Sequence, residues 1–148
     1  MWVYLRIVLV TKRYETFEHT ADIGIAAEAD SLGELYEALG EGLADFIVPR
    51  SQVGPREMRT VELSAEDAEA LAVDFLTAVM NLLQAERFAV ASVTVRDASE
   101  HHVTALVAGE PYDPTRHEIN TEVKAVTYHQ LKVANEGGRW VGRVILDL

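Results

Sequence analysis

The sequence predicts an α+β domain built in two layers, with two long helices packed on a largely antiparallel or mixed sheet. Three observations carry that prediction. Apolar residues recur at helical spacing around residues 32–47 and 65–84. Most of the remaining chain alternates apolar and polar residues with a period of two. Clusters of Gly, Pro, Asp and Asn punctuate these stretches.

The first ten residues, MWVYLRIVLV, are apolar but interrupted by Arg6, and the run is too short to span a bilayer. It lacks the basic start and small-residue cleavage site of a signal peptide. Residues 4–10 are expected to form a strand, or to belong to a leader over residues 1–12 ahead of a single domain over 13–148. Residues 14–18 are compatible with a strand. Ile23, Ile25 and Ala27 alternate with Gly24, Ala26 and Glu28, as in a half-buried strand.

Ser31, followed three residues later by Glu34, is a capping-box pattern and opens the first helix. Leu32, Leu35, Leu39, Leu43, Phe46 and Ile47 form its apolar stripe, which ends before Pro49. Residues 51–56 read as a loop and 58–63 as a strand. Ser64 is expected to cap the second helix, about 65–84. Leu71, Phe75, Val79 and Leu82 form one face of it, widened by Ala72, Leu76, Met80 and Leu83. So broad an apolar surface predicts a well-buried helix.

Beyond it the chain reads as β. Residues 90–96 and 102–108 alternate around a turn at Asp97-Ala98-Ser99-Glu100. Residues 109–117, with Pro111, Asp113 and Pro114, read as a loop. Residues 122–134 are expected to be extended. Glu136-Gly137-Gly138 turns the chain into a last strand that starts at Arg139 and runs through residue 146.

The chain has 148 residues and no cysteine, which excludes disulfides, thiolate metal sites and cysteine nucleophiles. The missing cysteines fit a cytoplasmic protein. The net charge of −11 disfavours direct binding to nucleic acid; it gives a solvated acidic surface that aids solubility, or one that attracts divalent cations or a basic partner. Lysine occurs only at Lys12, Lys124 and Lys132. There is no Gly-rich phosphate loop, nucleophile elbow or zincin helix motif.

Candidate chemistry sits in three stretches. EHTADIGI, residues 18–25, places His19 and Asp22 before a strand. RVILDL closes the chain with Asp147 beside the terminal carboxylate of Leu148. If the two strands are neighbours, Asp22 and Asp147 meet, and an all-oxygen donor set suits Ca²⁺, Mg²⁺ or Mn²⁺. Otherwise Asp22 only holds a turn and Asp147 only frays. EVKAVTYHQL, residues 122–131, brings Lys124, Thr127, Tyr128 and His129 into one extended run. Strand alternation would put Lys124 beside Glu122, as a surface ion pair or as a contact for a partner's acidic or phosphate group. His101 and His102 fall at a hairpin and take no role. His117, in the proline-bearing loop, could face a site.

Together EHTADIGI, HEINTEVKAVTYHQL and WVGRVILDL resemble the archease family, in order and spacing, across about residues 14–148. The resemblance implies an accessory protein of the tRNA ligase RtcB, without catalysis of its own. That ligase uses GTP and a divalent metal to guanylylate its active-site histidine before joining RNA ends. The accessory protein promotes guanylylation and multiple turnover and broadens nucleotide use. The resemblance also implies a metal site from Asp22, Asp147 and an oxygen of Leu148, and a functional contact at Lys124. His19 and His129 match motif positions as well; His117 matches less firmly. Two features depart from the family pattern. The second helix reads LAVDFLTAVMNLL where a tryptophan and more acidic residues are expected, and the leader is longer. The alternatives are a small metal-dependent phosphohydrolase or nucleotidyl-transfer enzyme using the same carboxylates, and a chaperone-like module that needs no metal.

Overall fold

Ser31 and Asp67 fix where the two helices begin. The computed structural model describes residues 11–19 and 22–148. The expected strand at residues 4–10 falls outside them. Ser31 Oγ accepts the Glu34 amide at 3.1 Å and opens α1, Leu32–Ile47. Asp67 accepts the Ala70 amide at 2.8 Å and opens α2, Ala68–Gln84. The second cap is therefore Asp67 and not Ser64. Ser64 is the last residue of strand β3, where it pairs with His102. Its hydroxyl meets His102 Nδ1 at 3.2 Å, so backbone and side chain are both committed to the sheet.

Seven strands are formed among the described residues. They are β1 (Lys12–His19), β2 (Asp22–Ala29), β3 (Glu57–Ser64), β4 (Phe88–Ala98), β5 (His102–Pro111), β6 (Ala125–Glu136) and β7 (Arg139–Asp147). The α+β class with two helices on antiparallel strands is as the sequence predicts. The strands divide between two sheets, ordered β1-β2-β7-β6 and β3-β5-β4, and every pairing is antiparallel. Helix α1 packs on β1, β2 and β7 of the first sheet and on β4 of the second. Helix α2 packs on β6 and on all three strands of the second sheet. Tyr36, Leu39 and Leu43 of α1 and Leu71, Phe75 and Leu76 of α2 are buried in the shared core. Tyr36 and Phe75 meet edge to face, with centroids 5.4 Å apart.

Strand β4 is an edge strand, and edges need their free amides satisfied. Helix α1 does this with carboxylates: Glu41 accepts the Val93 amide at 3.0 Å and Glu37 the Val95 amide at 2.8 Å. Lys12 of β1 reaches the same two carboxylates at 2.8 and 3.4 Å. The buried Glu41 is thereby hydrogen-bonded and paired, as a buried charge must be. At Gly109 of β5 the neighbouring strand comes so close that a Cβ would stand 1.9 Å from the Ala89 carbonyl oxygen.

Strand β5 runs on to Pro111, so the loop expected from Gly109 starts later. The β3–β5 and β4–β5 ladders continue through Gly109 and hold it extended. The segment 112–124 then carries the chain from the second sheet to the first, where β6 begins at Ala125.

Candidate functional site

The first sheet gathers the sequence motifs at one end. Strand β1 finishes at His19, β2 starts at Asp22, β7 finishes at Asp147 and β6 starts at Ala125. His19 and Asp22 are register partners, as are Ala125 and Asp147. The β2–β7 ladder ends at the pair Ile23–Leu146, so Asp22 and Asp147 are each the next residue beyond the same rung. Flanking the same rung of an antiparallel ladder, the two residues continue its alternation toward one side of the sheet. The side is that of Gly24 and Ala26, away from the helices, because Ile25 and Ala27 face the core.

Val144, Ile145 and Leu146 are all buried, and exposure begins at Asp147. Leu146 is fully buried, Asp147 is exposed, and Leu148 packs its side chain on the core. Among the described residues neither Asp22 nor Asp147 has a side-chain hydrogen bond or ion pair. Two carboxylates opposite each other without a cation between them are electrostatically unfavourable. No group of three or more His, Cys, Asp or Glu side chains able to hold a metal occurs among the described residues.

Lys124 stands just outside β6. Its amide donates to the Asp147 carbonyl at 2.8 Å, and its side chain is exposed. The expected alternation through this segment is not observed. Val123 and Val126 are both buried, so the strand pattern holds only from Ala125 onward. No ion pair joins Glu122 to Lys124. Instead Glu122 lines a cavity of about 190 Å³ together with Leu83, Gln84, Arg87, Tyr112 and Ile119.

His129 is on the same strand, beyond Thr127. Between the Thr127–Ile145 and Lys132–Arg143 pairs, β6 carries residues 128–131 where β7 carries only Val144. This bulge exposes Tyr128 and His129 and puts Gln130 at φ 52°. His101 and His102 are at the β4–β5 hairpin, remote in sequence and sheet from the carboxylates.

His117 is 2% exposed and belongs to a separate cluster. Its Nδ1 accepts the Asp113 amide at 2.9 Å, which leaves Nε2 to donate to Glu110 Oε2 at 3.0 Å. Glu110, itself 1% exposed, also accepts the Gly54 amide at 2.8 Å and Arg116 at 2.9 Å. The Gly54 amide first, then Arg116 and His117, lower the Glu110 pKa to about 2, against the opposing effect of burial. Sequence reading missed Glu110 because GEPYDP carries turn residues and no sign of a buried anion.

The Archease protein family (MTH1598/TM1083) matches residues 14–148. The chain belongs to the archease family. The archease of Thermococcus kodakarensis is 38% identical over 141 residues, covering 93% of this chain and 99% of its own length. That of Methanosarcina mazei is 33% identical over 142 residues, covering 93% and 97%. The solution structure of Methanobacterium thermoautotrophicum protein 1598 superposes with a TM-score of 0.75 at 31% identity, covering 91% of this chain and 98% of its own. A crystal structure from Thermotoga maritima, described as an archease and possible chaperone, shares the fold with a TM-score of 0.62 at 22% identity, over 90% and 96%. No helix among the described residues is long and apolar enough to cross a membrane.

Proposed function

We propose that this archease is a cytoplasmic accessory protein of the RNA ligase RtcB in tRNA splicing, promoting ligase guanylylation and multiple turnover rather than catalysing a reaction itself. The observation that supports this reading is that Asp22 and Asp147 end neighbouring strands at one end of a sheet, with the Lys124 amide hydrogen-bonded to the Asp147 carbonyl. The donor chemistry fits a divalent cation. All donors are oxygen, the two side chains have no partner among the described residues, and positive charge would offset repulsion between them. Asp22, Asp147 and Leu148 would hold the ion, with Ca²⁺, Mg²⁺ and Mn²⁺ all suited to oxygen ligands. These donors do not fill a six- to eight-oxygen shell, so water or a partner completes it. When bound, the ion supplies positive charge toward phosphate oxygens.

Lys124 contributes an ammonium with no partner among the described residues, directed to an acidic or phosphate group of the ligase site. The net charge of −11 supports docking to a protein over gripping RNA, and predicts binding that weakens with salt. The test is a multiple-turnover RNA ligation assay with the cognate ligase, GTP and Mn²⁺, comparing wild type with Asp22→Ala and Asp147→Ala. Wild type raises turnover; both variants fail while keeping their fold. Turnover by the isolated protein on phosphate esters would favour the enzyme reading instead. Full activity of Asp22→Ala would favour a metal-independent chaperone.

A further inference from the structure

Residues 112–124 have no strand or helix of their own, so no ladder holds their backbone. Side chains and stray carbonyls hold it instead. The Tyr112 amide donates to the Arg87 carbonyl at 2.7 Å, and the Glu118 amide to Gln52 Oε1 at 2.8 Å. The Asn120 amide donates to the Ile47 carbonyl at 2.8 Å. The last attachment before Lys124 is double. Gln84 Oε1 accepts the Val123 amide and Gln84 Nε2 donates to the Val123 carbonyl, both at 2.8 Å. One planar side-chain amide thus occupies both polar groups of a single residue, as a neighbouring strand would. The next amide, that of Lys124, already donates to Asp147 at 2.8 Å.

We propose that Gln84 is a positioning residue: it clamps Val123 and thereby fixes where Lys124 leaves the chain beside the Asp22–Asp147 end. This rests on the functional reading of Lys124 given above. Three observations support the clamp as the controlling contact. The Lys124 side chain has no hydrogen bond or ion pair among the described residues, so backbone placement alone directs it. The cavity of about 190 Å³ bordering Gln84 and Glu122 leaves the segment room to shift on that side. Gln84 is the last residue of α2, so the clamp ties Lys124 to the buried helix and through it to the core.

Gln84→Met keeps the length of the side chain and removes both bonds, and two measurements read the result. The first is amide hydrogen exchange by NMR. The expected outcome is exchange at Val123 and Lys124 faster by roughly tenfold, the size of one ordinary hydrogen bond, with Val144 and Leu146 unchanged. The second is the ligation assay with Gln84→Met, Lys124→Met and the double variant. Maximal turnover is expected to fall in both single variants, with the double variant no worse than Lys124→Met. A merely structural role gives losses that multiply. Unchanged exchange at Val123 and Lys124, or multiplying losses, overturns the proposal. A wild-type protein without effect on the ligase removes the functional reading alone. The exchange rates still decide the clamp in that case.

Discussion

The amide of Lys124 donates to the carbonyl of Asp147 across 2.8 Å, so the two functional candidates furthest apart in character, a cation and an anion, share one backbone contact. Their side chains do not pair. Asp147 projects with Asp22 away from the helices, while Lys124 stands just past the first rung of β6. An ammonium and a carboxylate pair that are close but unpaired remain available to a ligand or partner.

The two facing aspartates should respond to cations. Adding Mn²⁺ or Ca²⁺ is expected to raise the melting temperature of wild type and to leave Asp22→Asn and Asp147→Asn unmoved. In chelator the order reverses: each Asn variant should be more stable than wild type by up to about 1 kcal/mol, because a like-charge pair across the strands is gone. Calorimetry with and without chelator checks both halves.

Lys124→Ala should separate function from fold. The side chain is exposed and has no partner among the described residues, so unfolding stability should change by less than about 0.5 kcal/mol. Activation of the ligase should nevertheless fall at least tenfold. A denaturant titration beside the ligation assay measures the two.

Glu110 should set part of the acid limit of stability. Its folded pKa, about 2, is below its ordinary value of 4.5. A depressed carboxylate stabilises fully above the ordinary value and loses that contribution as pH falls toward the folded one. Wild type should therefore lose stability between about pH 4.5 and pH 2. Glu110→Gln should be less stable at neutral pH and show a shallower slope across that window. Urea unfolding at stepped pH reads the slope directly.

Gln130, at φ 52° in the β6 bulge, occupies backbone space that favours glycine. Among the described residues its side chain makes one hydrogen bond, an exposed one accepted from Arg143 at 3.2 Å. Gln130→Gly is expected to stabilise the protein by about 1 kcal/mol, the usual relief of a left-handed non-glycine residue. A shift of the denaturation midpoint to higher urea confirms it; a shift to lower urea means the Arg143 contact dominates.

Much of this architecture was legible in local pattern. The stripe from Leu32 to Ile47, the Ser31–Glu34 cap and the alternation of β2, β4 and β5 are short-range signals, because one buried face imposes its period on the sequence. The pairing of Asp22 with Asp147 is different. The residues are remote in sequence, and only the order β1-β2-β7-β6 makes their strand ends neighbours. Ser64 misled as a cap because its bonds go to β5, a partner no local window contains.

The sequence by itself determined the element types, the class and the oxygen-rich residues at the two motif ends, since periodicity and side-chain chemistry are properties of short stretches. Tertiary structure alone decided the division into two sheets, the Glu110–His117 cluster, the bulge that exposes His129, and the Gln84 clamp beside Lys124. Each of these depends on hydrogen bonds between residues far apart along the chain, and a single sequence carries no local trace of such partners.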